Sequence, residues 1–415
     1  MQGLLGLAAL LLLAWLCSED RAGIRWRTVA GGIALQLALA LLLTFFPPAT
    51  RAVLLLNDGA HALQTATDAG TGFVFGYLGG SSLPFTESHP GASFILAFKA
   101  LPLVLMISAL ASLLFHWGVL QAVMRGFAWL LARTLGVGGA LALGAAVHVF
   151  VGMIEAPLLV RPWLARMQRG EIFALMTCGM AGIAGTVMVI YAAILGPVIP
   201  NALGNILIAA IISTPAALAI AALMVPFGPN TAEAHITLPD PPSGALDAII
   251  KGTAAGIPIL VGIVAVLLVS VALVSLLNMI LGLLPDWNNT PITLQRALAI
   301  PFRPIMWLIG IPWPETATAA ILMATKTVLN EFVAYLDLAA LPPDALSQKS
   351  RLILTYALCG FANFGSLGIL IGGLGAMIPD RRTELITLGP RCLLSGTLAT
   401  CTSGTVAGLL AGLWP

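Results

Sequence analysis

The sequence contains, twice, a carboxylate within an apolar segment followed by a Cys-Gly-x-Ala element. The first copy has Glu155 followed by Cys-Gly-Met-Ala at 178–181, and the second has Glu331 followed by Cys-Gly-Phe-Ala at 359–362. A carboxylate inside a membrane is energetically costly, so it is a functional-site candidate by default. Two such acids in matching positions predict an architecture built from two related halves.

The composition places both acids in a membrane. Of the 415 residues, 59% are hydrophobic and only 9% are charged, whereas soluble domains carry about 25% charged residues. We therefore predict an all-α polytopic membrane protein. The net charge of +2 is scattered over short loops and gives no reason to expect a nucleic-acid partner. The five cysteines have no paired or metal-like spacing, and no cofactor motif occurs, so we expect no cofactor.

Apolar runs separated by short loops predict about eight transmembrane helices. The predicted spans are 2–18, 28–46, 93–119, 171–195, 201–226, 252–284, 350–378 and 388–414. By the positive-inside rule, Arg21, Arg25 and Arg27 place the first loop in the cytoplasm and both termini on the outer side. The polar stretch 50–92 is then predicted to lie outside.

Two further apolar segments are predicted to be re-entrant hairpins rather than spans. The segment 135–159 has Arg133 before it and Arg161 after it, so both of its ends face the cytoplasm. We expect its tip near Gly152–Pro157, where glycine permits a turn and proline removes a donor. A second hairpin is predicted over 304–341, with a proline-rich break at 312–315 in its first arm.

The loop charges orient the two Cys-Gly-x-Ala helices in opposite directions, which predicts an inverted repeat. An amphipathic surface helix with Arg125 and Arg133 precedes the first hairpin, and an external interfacial segment precedes the second. The predicted organisation is N-terminal helices and a scaffold part over 1–119, a first repeat over 120–226, a cytoplasmic linker over 227–251, and a second repeat over 252–415.

Each candidate acid has a functional and a structural interpretation. Glu155 is a substrate acceptor or proton carrier, and it also suits the cap of a half-helix N-terminus. Glu331 is a second intramembrane acceptor. Its structural alternative is an ion pair with Lys326, although a separation of five residues is poor helical spacing.

Three neutral polar residues are further candidates. His148 precedes Glu155 and is either a proton relay or a neutral core histidine bonded to a backbone carbonyl. Asn363 and Ser366 lie in a glycine-rich stretch, which weakens a helix by about 1 kcal/mol per glycine relative to alanine. An unwound segment there would aim both side chains at a ligand; the alternative is that they join helices by hydrogen bonds.

These residues resemble the bacterial concentrative nucleoside transporter family. The similarity extends over nearly the whole chain and is most specific at 150–152, 155–158, 160–162, 326–328, 330–335, 357–363 and 372–375. It implies a nucleoside importer in the bacterial inner membrane that forms a homotrimer. In each protomer, a transport domain with both hairpins and the broken helices would move past a rigid scaffold in an elevator-like motion.

The resemblance also implies a substrate site. Its ribose ligands are Glu331, Asn363 and Ser366. Phe361 and an apolar residue of the sixth span, Ile257 or Ile259, would flank the nucleoside. The base would be read by the first hairpin, with Val187 nearby, through Gly152, Met153, Ile154 and Glu155.

The sequence departs from the family where the base and the coupling ion bind. Sodium-coupled members have Gly-Gln-Thr-Glu where this chain has Gly-Met-Ile-Glu at 152–155. The family's sodium-binding Asn and Ser are replaced by His148 and Gly182, so the remaining oxygen ligands are carbonyls such as those of Val151 and Ile183. Sodium, as a hard cation, requires oxygen ligands.

We therefore predict proton coupling, with His148 or Glu155 as the titrating group. Other possibilities are a sodium-coupled carrier, an uncoupled carrier, a carrier for modified nucleosides, and a membrane receptor or enzyme that reuses the fold.

Overall fold

The computed structural model describes residues 2–87, 93–228, 242–286 and 290–411, and every regular element in them is a helix. Six helices are long and apolar enough to cross a membrane: Trp26–Phe45, Leu96–His116, Arg169–Leu195, Ala202–Met224, Ala245–Leu281 and Pro379–Leu410. Gln2–Leu16 and Phe364–Met377 are shorter apolar helices. All eight coincide with predicted spans. The all-α, multi-pass class is thereby confirmed, while eight as the number of spans stays a prediction.

In the first half, the predicted spans 93–119 and 171–195 are each divided into two helices, and the helix at 47–75 was not predicted. Their bounds are α1 (Gln2–Leu16), α2 (Trp26–Phe45), α3 (Pro47–Phe75), α4 (Leu96–Lys99), α5 (Leu103–His116), α6 (Val119–Leu135), α7 (Gly139–Val147), α8 (Glu155–Leu159), α9 (Arg161–Leu164), α10 (Arg169–Ala181), α11 (Gly185–Leu195) and α12 (Ala202–Met224).

The second half begins with the longest helix among the described residues. Its helices are α13 (Ala245–Leu281), α14 (Leu294–Leu308), α15 (Thr316–Val328), α16 (Glu331–Ala340), α17 (Gln348–Leu358), α18 (Phe364–Met377) and α19 (Arg382–Leu410). Most of the predicted linker, 229–241, lies outside the described residues, and α13 begins earlier than predicted, at Ala245.

The polar stretch 50–92, whose location outside the membrane stays a prediction, is helical over much of its length. Helix α3 runs from Pro47 to Phe75 and ends at Gly76, whose φ is 59°. Pro47 and Pro48 form the start of α3, where proline is suited to the first turn because its fixed φ is helical. The helix mixes polar and apolar residues and is less apolar than the neighbouring α2, so a search for long apolar runs did not reveal it.

Both hairpins are present as pairs of short helices. The first consists of α7 and α8, joined by the tip 148–154, and the second consists of α15 and α16, joined at Leu329–Asn330. The second hairpin begins later than predicted because residues up to Leu308 belong to α14. The prolines at 312 and 314 therefore precede its first arm instead of interrupting it.

Each hairpin is followed by a broken helix, and the two breaks meet. Residues 182–184 separate α10 from α11, and residues 359–363 separate α17 from α18. At the crossing, the Phe361 N–H donates to the Gly182 carbonyl at 3.1 Å, and the Gly185 N–H donates to the Phe150 carbonyl of the first tip at 3.2 Å. Backbone groups freed by the breaks are thus bonded, as they must be within a membrane.

The remaining helices form a buried bundle with one helix pair beside it. Helices α10, α12, α17 and α19 pack together, and nearly all of α12 is buried. Helix α13 instead packs along α5, where Gly252 lets the backbones approach: a Cβ there would lie 2.6 Å from the Ser108 carbonyl oxygen. The outer face of α13 is exposed along its length.

We expect Gly360→Ala to destabilise the crossing of the two breaks. A Cβ at Gly360 would lie 2.9 Å from the Ala181 oxygen and 3.0 Å from the Met180 oxygen, both of them backbone atoms. Such overpacking costs about 1–3 kcal/mol, and the midpoint of thermal unfolding in detergent should fall.

Gly372→Ala is the matched control, because nothing lies within 4 Å of that Cβ position in α18. Alanine is favoured over glycine within a helix by up to about 1 kcal/mol, so this variant should keep or raise the midpoint. Equal midpoints for the two variants would contradict the close approach at Gly360.

Candidate functional site

A cavity of about 540 Å³ lies between the α5–α13 pair and the bundle. One wall is formed by α5 and α13. The other is formed by both hairpin tips, the start of α11 and the break before α18. Its volume is within the range of small-molecule sites, about 300–1,000 Å³.

Ten of the eleven residues predicted to bind substrate line this cavity. They are Gly152, Met153, Ile154, Glu155, Val187, Ile259, Glu331, Phe361, Asn363 and Ser366. The exception is Ile257, which lies outside the cavity lining and is 51% exposed. Of the two α13 candidates, Ile259 is therefore the one that lines the cavity, and a role of either residue in substrate binding stays a prediction.

Glu331 is the centre of a compact hydrogen-bonded group. It is the first residue of α16 and only 4% exposed. The Tyr191 hydroxyl donates to its Oε1 at 2.6 Å, and the Asn363 side-chain amide donates to its Oε2 at 3.1 Å. A buried carboxylate is tolerated when its oxygens are bonded in this way.

Two asparagines fix the geometry of this group as helix caps. Asn363 precedes α18 and accepts from the Ser366 N–H at 2.7 Å. Asn330 precedes α16 and accepts from the Val333 N–H at 3.0 Å. Because capping occupies the Asn363 carbonyl oxygen, its NH₂ group is left to donate to Glu331.

Lys326 has a structural role other than the ion pair considered as an alternative for Glu331. Its buried ammonium donates to the Ala357 carbonyl at 2.8 Å and to the Thr400 hydroxyl at 3.1 Å. Ala357 lies at the C-terminal end of α17, where a cation is favoured by the helix dipole. Lys326 thus stabilises the end of α17 just before the break that leads to Asn363.

Tyr191 was missed by the sequence reasoning. It lies in α11, and its ring packs against Phe332 and Tyr335 with centroids 5.9 and 5.1 Å apart. The chain has only four tyrosines. A tyrosine in an apolar helix next to a break is a signal that could have been used, because a buried hydroxyl usually has a partner.

At the first hairpin, the side chains of the tip diverge. Glu155 is exposed and folds back over Gly152, where any side chain would overlap its Oε2. The end of the Ile154 side chain fills the space that a Cβ at Gly373 of α18 would need. Glu155 is also the first residue of α8, a position that agrees with the capping role considered beside the functional one.

His148 lies at the inner side of this tip. It is 3% exposed, and among the described residues its Nε2 has no hydrogen-bond partner. Its ring packs against Gly179 of α10, where a Cβ would lie 3.2 Å from the His148 Cε1 and 3.4 Å from the Met153 Cβ. Gly182 follows at the end of α10, and Ile183 beside it is buried.

The helical hairpins, the broken helices and the cavity beside them are typical of a multi-pass membrane transporter. Family models agree in three consecutive regions: the N-terminus of Na+ dependent nucleoside transporters matches 5–78, a gate domain described as nucleoside recognition matches 97–198, and the transporter C-terminus matches 205–408.

Relatives and a solved structure are similar over their full length. An uncharacterized transporter of Haemophilus influenzae is 37% identical over 423 residues, which cover 100% of this chain and 98% of the relative. Nucleoside permease NupC of Helicobacter pylori is 32% identical, with 98% of this chain and 97% of the relative covered. CNTnw in an inward-facing substrate-bound state has a TM-score of 0.89 at 35% identity, with 99% of both chains covered. The chain belongs to the concentrative nucleoside transporter family.

We expect Tyr191→Phe to destabilise the protein through Glu331. The variant keeps the ring packing but leaves Glu331 Oε1 without its donor, which costs about 1–3 kcal/mol for a buried group. The midpoint of thermal unfolding in detergent should fall, whereas Tyr77→Phe, at a residue that is 45% exposed, should leave it unchanged. Equal midpoints for wild type and Tyr191→Phe would contradict the role of this hydroxyl.

Proposed function

We propose that this protein imports nucleosides across the bacterial inner membrane, coupled to protons rather than to sodium. The observation that carries the proposal is the group around Glu331, a buried carboxylate on the cavity wall held by Tyr191 and Asn363. In the proposed mechanism this group binds the ribose.

The chemistry of ribose matches this acceptor. An ionised carboxylate offers about four acceptor positions, of which Tyr191 and Asn363 occupy two. The remaining positions suit the two vicinal hydroxyls of ribose, which would donate charge-assisted hydrogen bonds. Ser366 adds a hydroxyl beside them, and Phe361 and Ile259 supply apolar walls for the rest of the nucleoside.

Proton coupling rests on the residues at the position of the family's sodium site. His148 and Gly182 replace the side chains that would supply oxygen, which leaves backbone carbonyls such as those of Val151 and Ile183. An imidazole is a poor ligand for sodium. A buried imidazole without a partner is stable only when neutral, and it can take up a proton when a conformational change exposes it to water.

Assembly and motion are part of the same proposal. The outer face of α13 is apolar and exposed, with Val261 at 60% and Leu268 at 67%, and such patches mark contacts with lipid or another protein. We take α5 and α13 as the scaffold of a homotrimer, past which the hairpins and broken helices move in an elevator-like motion. We also propose that both termini lie on the outer side.

We expect Glu331→Gln to abolish nucleoside uptake into proteoliposomes without preventing assembly. The neutral amide replaces one acceptor oxygen by a donor and removes the charge that strengthens the ribose hydrogen bonds. Asp344→Asn, at an exposed loop carboxylate, is the control and should transport normally. Wild-type uptake by Glu331→Gln would refute the assignment.

The coupling ion is tested with imposed gradients. A pH gradient, acidic outside, should drive uptake, and a sodium gradient should not. Strong sodium dependence of the wild type would overturn proton coupling, and indifference to both gradients would indicate an uncoupled carrier.

Restoring the missing side-chain oxygens should create sodium dependence. The double variant His148→Asn with Gly182→Ser introduces the two ligands that sodium-coupled members have. A Cβ at Gly182 would lie 3.2 Å from the Cys178 oxygen and 3.8 Å from the His148 oxygen, so serine fits with a small adjustment. Uptake by this variant should rise with sodium and lose its response to pH. Unchanged coupling would show that His148 is not the determinant.

A further inference from the structure

The first hairpin tip presents a single charged side chain to the cavity. Of the three side chains at 153–155, two contact neighbouring helices: Met153 packs beside Gly179 of α10, and Ile154 packs into the space at Gly373 of α18. Glu155 remains, exposed on the cavity wall. The tip therefore reads a ligand chiefly through one carboxylate surrounded by apolar groups.

The Glu155 carboxylate is available to a ligand. In the described part of the chain it has no ion pair or hydrogen bond, and it folds over Gly152 so that its oxygens stay at the tip surface. An ionised carboxylate accepts hydrogen bonds and donates none. A ligand that presents a carbonyl or a bare ring nitrogen to it would place two acceptors together, which is unfavourable.

We propose that this protein selects nucleosides whose base presents two adjacent N–H donors, with guanosine foremost. The proposal rests on the proposed function, because it assigns the base in a site whose ribose is held by Glu331. The N1–H and the exocyclic amino group of guanine point in the same direction, so one carboxylate can accept from both. Such a bidentate arrangement adds geometric specificity to the strength of a charge-assisted bond.

The other common bases match this acceptor less well. Uracil has its single N–H between two carbonyls, and hypoxanthine has its N1–H beside a carbonyl with no amino group on the other side. Adenine and cytosine each offer an amino group next to ring nitrogens that accept. Each of these bases would donate at most one hydrogen bond to the Glu155 carboxylate, or would place one of its own acceptors against a carboxylate oxygen.

Guanosine and inosine provide the decisive comparison, since they differ only by the exocyclic amino group. The full chain, purified in detergent, is titrated with both nucleosides and with uridine in an equilibrium binding measurement. Guanosine should bind about 10- to 100-fold more tightly than inosine, the effect of one charge-assisted hydrogen bond. In Glu155→Gln the ratio should fall towards one, because an amide can pair with the N1–H and the adjacent carbonyl of either base.

The variant separates base reading from a general structural role. If Glu155 had only a structural role, Glu155→Gln would lower the affinities for guanosine and inosine equally and leave their ratio unchanged. The control variant Asp344→Asn should preserve both affinities and their ratio. Equal binding of guanosine and inosine by the wild type, a preference for uridine, or a ratio unaffected by Glu155→Gln would overturn the inference while nucleoside transport stands. If no nucleoside bound at all, the proposed function would fail with it.

Discussion

The architecture depends on the contact between two interrupted helices inside a membrane. Breaking a helix frees backbone donors and acceptors that cannot turn to water there. Here one backbone hydrogen bond joins the two breaks, from the Phe361 N–H to the Gly182 carbonyl at 3.1 Å. A second, from the Gly185 N–H to the Phe150 carbonyl, joins the first break to the first hairpin tip. Because Gly360 must pass close to the carbonyls of α10, the site geometry depends on a contact of backbone on backbone that a larger side chain would disturb.

The two halves share the order of hairpin and broken helix but differ in their side chains. In the second half, Glu331 and Asn363 are held by hydrogen bonds and capping, so each has a fixed orientation. In the first half, Glu155 is exposed and His148 has an unpartnered Nε2. A fixed polar group suits a part of the ligand that is the same in every substrate, whereas a less constrained one suits a part that varies.

The sequence was informative wherever a local residue pattern had a local physical consequence. The glycine-rich stretch that contains Asn363 and Ser366 predicted the break before α18, and acids within apolar runs predicted residues that do line the cavity. Sequence reasoning failed where the outcome depended on tertiary contacts. Tyr191 becomes part of the site only because α11 packs against α16. Helix α3 was missed for a different reason, since it mixes polar and apolar residues and is less apolar than the neighbouring α2. The choice between Ile257 and Ile259 required the rotation of α13, which neither the periodicity nor the resemblance supplied.

In the proposed mechanism, ion coupling and base recognition both involve residues that contact one glycine. Gly179 of α10 packs against both the His148 ring and Met153, which by the family resemblance replace an asparagine and a glutamine of sodium-coupled members. The apolar side chain at 153 adds no polar group beside the imidazole, and it leaves the cavity lining at this position without a hydrogen-bonding group for a base. In the proposed mechanism, the loss of sodium ligands and the reliance on Glu155 for the base are therefore consequences of the same packing. A substitution at His148 or Met153 should therefore shift the other residue, because the close packing at Gly179 leaves no space in which the two side chains could adjust independently.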